Sequence, residues 1–473
     1  MSGSDGAIGR RGALRALALP TLALAGGGRA AGRAAAPADV LVLGAGLAGL
    51  AAARRLSAAG MRPVVLEARD RPGGRVYTRF DLPDRPEFGA VEVGDSYTRV
   101  HALARACGLD IRPAPPPGAS ALTLHVGGQT LRARDWPDSA ANPLTGPERR
   151  VLPPRLEAHY LGRPIPFDRA ADWDTPAVRA HDRAITAVLR ERGISEEALR
   201  LVNVAGNHIH SDDVSVLGWW RGALAHREDT RAGQFEGGAG ALATCLAERL
   251  EGSVRYASVV TDIAETGDFV RVLLADGAEH RARYCICTLP LPALRNVGLR
   301  LPLQQAVRNA IDAAAYTPVT VALFDAEPFW EEDGLPLTMW TDTSLERLFP
   351  RLHPATGECI GFKAFVNGAG SLALDRLDEA AFEDLALATF TRIRPAAAGR
   401  VRYLARHSWG ADPFAGGAYA AWPPGRVAES RAALARPAGR LRFAGEHVAD
   451  APGIEGAIRS GERAASAILE APS

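Results

Sequence analysis

Residues 38–56 read Ala-Asp-Val-Leu-Val-Leu-Gly-Ala-Gly-Leu-Ala-Gly-Leu-Ala-Ala-Ala-Arg-Arg-Leu. The continuous apolar run 40–43 is typical of a strand that is buried on both faces of a parallel sheet. Three glycines follow, and each suits a different structural role. Gly44 suits the tight turn, Gly46 the close approach of a pyrophosphate, and Gly49 the packing of the next helix against the strand. The Ala- and Leu-rich helix after them would direct unpaired N–H groups at the phosphates.

A second apolar strand, Pro63 to Leu66, leads directly into Glu67. A carboxylate at the end of the second strand of such a unit can accept hydrogen bonds from ribose hydroxyls. The order strand, glycine turn, helix, strand and acid therefore predicts a dinucleotide site. The alternative is a strand–helix–strand unit of the same shape that binds no ligand.

The segment after Glu67 narrows the choice of dinucleotide. Residues 69–75 read Arg-Asp-Arg-Pro-Gly-Gly-Arg, and with them the chain resembles the flavin-containing amine oxidase superfamily. The resemblance implies FAD as the cofactor. It also implies that Gly73, Gly74 and Arg75 carry the backbone past the FAD pyrophosphate. Two further residues of the cofactor site stand beside them: Ala68 and Arg69.

The C-terminal region carries a second part of the resemblance. Residues 442–447 read Arg-Phe-Ala-Gly-Glu-His, and residues 453–457 read Gly-Ile-Glu-Gly-Ala. In the family the glutamate of the first motif holds the ribityl chain of FAD, which implies this role for Glu446. The helix of the second motif would direct its N-terminus at the flavin ring. The residues implied to line the ring are Gly445, Gly456 and Ala457. An ordinary capped terminal helix is the alternative.

Two other segments match cofactor contacts of the family. Residues 89–97 resemble the segment that returns the chain to the flavin ring, which implies contacts from Gly94 and Ser96, although Asp95 replaces one glycine of the family pattern. Val260 begins a predicted strand that resembles the family strand whose valine backbone meets the adenine.

The aromatic residues of the segment Gly-Gly-Ala-Tyr419-Ala-Ala-Trp422 are candidate substrate contacts. The resemblance implies that Tyr419 forms one wall of an aromatic cage, whose ring faces favour a positive or partly positive substrate nitrogen. A tyrosine of the hydrophobic core is the alternative. Ala418 stands where family members with covalent flavin have cysteine, which implies that FAD is held non-covalently.

Two positions depart from the family pattern. Gly453 stands where the family has a second cage aromatic, and Trp422 or Trp220 is a candidate to replace it. Thr320 stands where many members have a lysine that holds a water at flavin N5 and assists the reaction with oxygen. Either Lys363, the only lysine of the chain, reaches the site from a neighbouring strand, or electrons pass to another acceptor such as a cytochrome.

These features predict an α/β fold with a Rossmann-like FAD-binding domain and a second, substrate-binding domain of mixed sheet and helices, as in amine oxidases. A chain of 473 residues is long enough for two such domains. The predicted FAD-binding segments are residues 38–110, 231–300 and 401–473. The predicted substrate-binding segments, with a helical cover, are residues 111–230 and 301–400.

The predicted function is the oxidation of a C–N bond of an amine by hydride transfer to FAD, giving an imine and then a carbonyl compound. An L-amino-acid oxidase, which needs an arginine clamp for the substrate carboxylate, and a flavin dehydrogenase or desaturase that passes electrons to an acceptor other than oxygen are alternatives within the enzyme class. An FAD-binding accessory protein without turnover is the alternative outside it.

Composition excludes some partners and metals. The formal net charge of +1 gives no reason to expect nucleic acid or a membrane surface. The five cysteines are scattered, and Cys285-Ile-Cys287 is not a zinc spacing. We expect these cysteines to be buried core thiols without metal or disulfide. His208 and His210 are candidate metal ligands or substrate contacts, but no third ligand is nearby, which favours structural histidines. The oligomeric state is not predicted.

The first 37 residues are typical of a targeting segment. Arg10 and Arg11 precede an apolar stretch, which is followed by glycines and an Ala-rich tail. This pattern resembles a twin-arginine export signal and predicts a periplasmic or secreted enzyme that binds flavin before export. The stretch is short for a membrane span. A disordered leader on a cytoplasmic protein is the alternative.

Overall fold

The computed structural model describes residues 38–113, 122–227, 229, 232–451 and 453–471. The export signal predicted for residues 1–37 lies outside these residues.

The strands of the described residues are, in chain order, β1 Ala38–Leu43, β2 Pro63–Leu66, β3 Val93–Gly94, β4 Ile111–Pro113, β5 Leu122–Val126, β6 Gln129–Arg132, β7 Ala232–Phe235, β8 Val254–Arg255, β9 Val260–Thr266, β10 Phe269–Leu274, β11 Glu279–Cys287, β12 Gly298–Arg300, β13 Ala315–Tyr316, β14 Val319–Ala326, β15 Thr338–Thr341, β16 Arg347–Leu352, β17 Cys359–Asn367, β18 Val401–Ser408, β19 Ala420–Ala421 and β20 Leu441–Phe443.

The α-helices are α1 Leu47–Ala58, α2 Thr98–Ala106, α3 Leu156–Leu161, α4 Ile185–Glu191, α5 Glu196–Val204, α6 Val216–Ala225, α7 Gly240–Glu248, α8 Leu291–Leu294, α9 Gln305–Ala313, α10 Trp330–Asp333, α11 Gly368–Leu374, α12 Glu379–Ile393, α13 Val427–Ala435 and α14 Gly453–Leu469. Among the described residues no helix has the length and apolar character that crossing a membrane requires.

The first sheet contains the predicted Rossmann-like unit. Its strand order is β12-β9-β10-β11-β1-β2-β8, and β20 also pairs with β11. Strands β2, β1, β11 and β20 run parallel, and residues 40–43 of β1 are fully buried as the apolar run predicts. The carboxyl ends of parallel strands meet at one edge of a sheet, which is where α/β folds bind ligands. Here that edge brings the glycine turn after β1 and the Gly-Glu motif after β20 together.

The helices α1 and α14 cover one face of this sheet. Buried side chains of both helices share one hydrophobic cluster with Val40 and Val42. The two helices approach so closely that a Cβ at Gly461 would overlap the carbonyl oxygen of Ala48. The N-terminal and C-terminal segments are therefore packed into one nucleotide-binding unit.

The second sheet has the order β18-β14-β17-β16-β15-β5-β6. Its strands pair antiparallel except for β15 with β5, so the sheet is mixed as predicted. The predicted boundary at residue 401 is corrected, because β18 pairs with β14 along most of its length and belongs to this sheet rather than to the nucleotide-binding unit. Helices α3 to α6 lie in the segment 111–230 for which a helical cover is predicted.

The expectation that every cysteine is a core thiol is wrong for two of the five. Cys107, just after α2, forms a disulfide with Cys245 in α7. This pairing could not be predicted from the sequence, because the two cysteines are 138 residues apart and meet only when the two helices pack. Cys285 and Cys287 are free and fully buried as predicted, and Cys359 is free and half-buried.

Candidate active site

A cavity of about 2770 Å³ extends from the glycine turn after β1 to the face of the second sheet. Most predicted site residues line it: Gly44, Gly46, Glu67, Ala68, Arg69, Gly73, Gly74, Arg75, Val260, Tyr419, Trp422, Gly445, Glu446 and Ala457. The other predicted residues lie off its wall: Gly49, Gly94, Ser96, Thr320 and Gly456. This volume exceeds that of a typical small-molecule pocket, so it has room for a dinucleotide and a second ligand.

The glycine turn has the backbone that the sequence predicts. Gly44 adopts a φ of 99°, which favours glycine. A Cβ at Gly49 would overlap the carbonyl oxygen of Gly44, so Gly49 permits the packing of α1 on β1 rather than a ligand contact. Gly46 differs, because the nearest atom to a Cβ built there is the Gly73 carbonyl oxygen at 3.9 Å. The space beside Gly46, at the N-terminus of α1, is therefore open to an anionic ligand.

Glu67 lies at the carboxyl end of β2 and is 3% exposed. Its Oε2 accepts a hydrogen bond from the N–H of Ala45 at 2.7 Å, and its Oε1 accepts one from the N–H of Arg69 at 3.0 Å. These two bonds fix the carboxylate at the cavity wall. Each oxygen has a second lone pair for a ligand hydroxyl.

The second acidic anchor comes from the other end of the chain. Oε1 of Glu446 accepts hydrogen bonds from Nη1 of Arg75 at 2.9 Å and from the N–H of Ala420 at 2.7 Å. Burial alone would raise the pKa of the Glu446 carboxyl, but the charge and hydrogen bond of Arg75, together with smaller contributions from His447 and the Ala420 N–H, outweigh burial and lower this pKa. Both hydrogen bonds from described residues reach Oε1, so Oε2 remains for a ligand hydroxyl.

The start of α14 contributes Ala457 rather than Gly456 to the cavity wall. A Cβ at Gly456 would overlap the carbonyl oxygen of Ala451, so this glycine is required for packing at the helix start. Its predicted place in the lining is corrected on that ground. Gly445 and Ile454 line the cavity on either side of this turn.

Gly94 and Ser96 do not reach the cavity. Both contact Asp229 instead: the N–H of Ser96 donates to its Oδ1 at 2.8 Å, and a Cβ at Gly94 would overlap its carboxylate. The short strand β3 pairs with β7. The cavity contacts of this region come from Ala90 to Glu92, just before β3.

Tyr419 lies against the second sheet, where its hydroxyl donates to Oδ1 of Asn367 at 3.3 Å. Burial raises the pKa of the Tyr419 phenol above its ordinary value. Trp422 also lines the cavity, whereas Trp220 does not and donates instead to the Leu161 carbonyl at 2.9 Å. Of the two candidates for the missing cage aromatic, Trp422 is therefore the one at the cavity.

Gly453 has an aromatic neighbour that the sequence did not indicate. A Cβ at this glycine would lie 3.1 Å from the hydroxyl of Tyr97, the residue before α2. Tyr97 is 6% exposed, and burial raises its pKa to about 12. A phenol thus faces the start of α14 from the neighbouring helix.

Thr320 faces away from the cavity, so its prediction as a catalytic residue is corrected. Its hydroxyl is hydrogen bonded to that of Ser371 at 2.8 Å, and it is 1% exposed. Side chains alternate along β14, and Val319 rather than Thr320 lines the cavity. Lys363 does line the cavity, but it pairs in register with Leu323, three residues along β14 from Thr320.

Three residues near Tyr419 are absent from the sequence predictions, and two of them, Asn207 and Arg347, line the cavity. The Nδ2 group of Asn367 donates to Oδ1 of Asn207 at 3.2 Å, and Nη2 of Arg347 donates to the same oxygen at 3.0 Å. No sequence motif around Asn207 or Arg347 indicates a site, because the two residues come from a loop and a strand that are far apart in sequence. His208, next to Asn207, has a partner as expected, since its Nε2 lies 3.1 Å from Oε1 of Glu157. Within the described part of the chain no cluster of three or more His, Cys, Asp or Glu residues is arranged to hold a metal.

The chain matches the family model of flavin-containing amine oxidoreductases over residues 47–469. It is 26% identical to a flavin-containing amine oxidase of Oncorhynchus mykiss over 465 residues, covering 91% of this chain and 85% of the relative. It is 27% identical to the flavin-containing amine oxidase B of Homo sapiens over 473 residues, covering 92% and 86%.

Solved structures share the fold. A putrescine oxidase bound to putrescine superposes with a TM-score of 0.74 at 22% identity, covering 92% of this chain and 100% of the other. Cyclohexylamine oxidase from Brevibacterium oxydans gives 0.73 at 23% identity, covering 92% and 99%.

These findings define the protein as an α/β flavoenzyme. The chain belongs to the flavin-containing amine oxidase family and is a flavin-dependent oxidoreductase. Its residues fit the flavin cofactor, because the space beside Gly46 is open and the carboxylates of Glu67 and Glu446 have acceptor capacity directed at the same cavity.

Proposed function

We propose that this enzyme oxidises a C–N bond of a small-molecule amine or amino acid by hydride transfer to FAD. A neutral amine that loses a hydride from the adjacent carbon leaves a protonated imine, which water hydrolyses to a carbonyl compound and ammonia or a smaller amine. The observation that carries the proposal is the shared cavity of Glu67, Glu446 and Tyr419. Membership of the amine oxidase family supports the same reaction class.

The chain's residues would hold the cofactor at three points. The open backbone at Gly46 suits the pyrophosphate, since helix α1 begins there and adds a partial positive charge. Gly73 and Gly74 line the cavity beside it. Glu67 suits the ribose hydroxyls, and Oε2 of Glu446 suits a hydroxyl of the ribityl chain. Ala418 lines the cavity and has no nucleophile, so we propose that FAD is bound non-covalently. Flavin should then be released into the supernatant when the protein is precipitated with acid.

Bound FAD supplies the two-electron acceptor of the reaction. The aromatic ring of Tyr419 positions the substrate nitrogen, and the buried surroundings of Tyr419 exclude water from the reacting carbon. Because burial raises the pKa of Tyr419, its phenol stays protonated at neutral pH and donates to Asn367 rather than taking a proton from the substrate. The substrate must therefore enter as the neutral amine or lose its proton on entry.

Anaerobic mixing of the purified holoenzyme with a panel of amines and amino acids tests the proposed reaction. We expect at least one compound to bleach the visible absorbance of the flavin, with formation of one carbonyl product per flavin reduced. A yellow, folded enzyme that no member of the panel bleaches would contradict the proposal.

The electron acceptor is proposed to be oxygen or a cytochrome-like carrier, and the two differ in a measurable rate. Thr320 offers no charge and faces away from the cavity, and Lys363 lies three positions along the paired strand. If oxygen is the acceptor, the reduced enzyme should reoxidise within seconds in air. Slow reoxidation in air, accelerated by an artificial one-electron acceptor, would indicate the carrier.

We further propose that the enzyme is exported through a twin-arginine signal in residues 1–37. The disulfide between Cys107 and Cys245 supports this, because disulfides persist in the periplasm and outside the cell and are rare in the cytoplasm. The test is to express the parent chain and a variant with Arg10 and Arg11 both replaced by lysine in matched strains. Equal amounts of the parent and the variant in the cytoplasm would contradict export.

A further inference from the structure

Three cationic side chains on strands β16 and β17 of the second sheet line the cavity: Arg347 and Arg351 on β16 and Lys363 on β17. Arg351 is neutralised by Asp84 at 2.7 Å and Asp325 at 2.9 Å. Lys363 lies in the field of three carboxylates, those of Glu87, Glu92 and Asp84. Arg347 differs from both, because no carboxylate of the described residues lies within ion-pair distance of it.

The guanidinium of Arg347 is also poor in hydrogen bonds. It carries five N–H donors, and one of them, on Nη2, meets Asn207 Oδ1 at 3.0 Å. Its Nε is buried and has no acceptor within the described part of the chain. The group lies over the ring of Phe365, with its central carbon 4.9 Å from the ring centroid. Arg347 is half-buried and lines the cavity, so an anion that enters the cavity can bind the N–H groups that lack an acceptor in the chain.

Neither nearby acid supplies that anion. Glu346 is 3% exposed, and burial raises the pKa of its carboxyl to about 8, so it is mostly protonated at pH 7. Its Oε2 is hydrogen bonded to the N–H of Asn367 rather than to Arg347. Glu157 is held by Nε2 of His208 at 3.1 Å.

The position of Arg347 assigns it to the substrate rather than to the cofactor phosphates. A chain of hydrogen bonds runs from the Tyr419 hydroxyl through Asn367 and Asn207 to Arg347. The glycines that suit the pyrophosphate belong to the first sheet and the N-terminus of α1. Arg347 lies on the opposite wall, beside the proposed amine position.

We propose that Arg347 binds a carboxylate of the substrate, so that the substrates are amino acids or other amines that carry a carboxylate rather than simple amines. The planar guanidinium fork matches the two oxygens of a carboxylate. Tyr419 then meets the nitrogen end of the same molecule, and the product is the corresponding oxo acid. This inference rests on the proposed function.

The test compares matched pairs of compounds that differ by one carboxylate, with the holoenzyme under anaerobic conditions: 2-phenylethylamine with phenylalanine, n-butylamine with norvaline, and n-propylamine with 4-aminobutanoate. We expect a carboxylate-bearing member to half-saturate flavin bleaching at a concentration at least about tenfold lower than its plain amine. Arg347→Gln should raise that concentration roughly 10- to 100-fold, as expected for loss of a hydrogen-bonded charge. Arg347→Lys should restore part of the loss.

A control variant removes another cavity arginine. Arg132 lines the cavity from β6, where it donates to the Gly334 carbonyl at 2.8 Å. Arg132→Gln should change the half-saturating concentrations less than about twofold, as for a surface substitution. FAD content and the melting temperature of each variant establish that it is folded.

Binding of phenylacetate, followed by its perturbation of the flavin spectrum, gives a readout that needs no turnover. Binding that is weakened by Arg347→Gln and not by Arg132→Gln supports the inference even if no compound of the panel is oxidised, in which case the proposed reaction alone fails. If plain amines bleach the flavin as well as their carboxylate partners and Arg347→Gln alters neither, the inference is overturned while the proposed reaction stands.

Discussion

Arg75 and Glu446, which are 371 residues apart in sequence, form an ion pair of 2.9 Å at the wall of the cavity. The pair joins the glycine-rich segment after β2 to the loop after β20. Both side chains are largely buried, with 20% and 13% exposure, so solvent screens them little. The ion pair couples the integrity of the proposed cofactor site to the association of the two ends of the chain.

Replacing Glu446 by Gln should weaken FAD binding at least about tenfold, because a carboxylate acceptor is lost and the buried Arg75 charge loses its partner. The unfolding free energy should fall by about 3 kcal/mol. Fluorescence titration of the apoprotein with FAD measures the first effect, and urea unfolding measures the second. Glu279→Gln, which removes a surface acid of the same sheet on β11, serves as the control. Equal FAD affinity of both variants would contradict the role of Glu446.

The two glycines of the first turn should respond differently to alanine. Gly46→Ala has room for its methyl group in the protein itself, whereas the methyl group of Gly49→Ala would overlap the Gly44 carbonyl oxygen. We expect Gly46→Ala to keep the parent melting temperature and to lose at least about tenfold in FAD affinity, since the backbone must approach the pyrophosphate closely. Gly49→Ala should lose roughly 3 kcal/mol of stability through overpacking. Calorimetry and FAD titration of both variants check the pair, and a Gly46→Ala variant with parent FAD affinity would refute this use of the turn.

His447 should make the protein sensitive to acid. It is 2% exposed, and neither ring nitrogen has a hydrogen-bond partner in the described part of the chain. Burial lowers its pKa from 6.5 to about 4. Between these values the unfolded chain binds a proton that the folded protein does not bind, so the unfolding free energy falls as the pH decreases from 6.5 towards 4.

The loss attributable to His447 is roughly 3 kcal/mol over that interval. His447→Gln should flatten the dependence of the unfolding free energy on pH, measured by urea unfolding at several pH values. His407, whose pKa is likewise lowered to about 4 by burial, would retain its own part of the slope. The exposed His210, replaced in the same way, is the control, and equal slopes in the two variants would show that His447 is not the acid-sensitive group.

The features that the sequence predicted correctly are those encoded within a few residues. The buried run of β1, the turn at Gly44 and the acid at Glu67 depend on local order and are found as expected. The disulfide between Cys107 and Cys245 and the lack of an ion pair at Arg347 among the described residues could not be predicted in this way. Both depend on which distant side chains meet, and a missing ion pair leaves no pattern along the chain. Thr320 was predicted wrongly for a related reason. Side chains alternate between the two faces of β14, and Thr320 lies on the face that does not meet the cavity.

The binding of a ligand carboxylate to Arg347 should weaken as Glu346 ionises. Its pKa is raised to about 8 by burial, against the smaller opposing effects of the Asn367 N–H and the Arg347 charge. Above that pH it becomes a carboxylate beside Arg347 and competes with the ligand for the guanidinium. The dissociation constant of phenylacetate, measured from the flavin spectrum between pH 6 and 9, should therefore rise through about pH 8.

Two substitutions separate Glu346 from the other groups that face Arg347. Glu346→Gln should abolish the rise, because the amide does not ionise, whereas Glu157→Gln should retain it. Tyr419 does not contribute in this interval, since burial raises its pKa above the ordinary value. A rise that persists in Glu346→Gln would mean that another group titrates beside the ligand. If the dissociation constant of the parent enzyme does not change with pH, Glu346 ionises without affecting Arg347. The prediction that ionised Glu346 competes with the ligand for Arg347 would then be wrong.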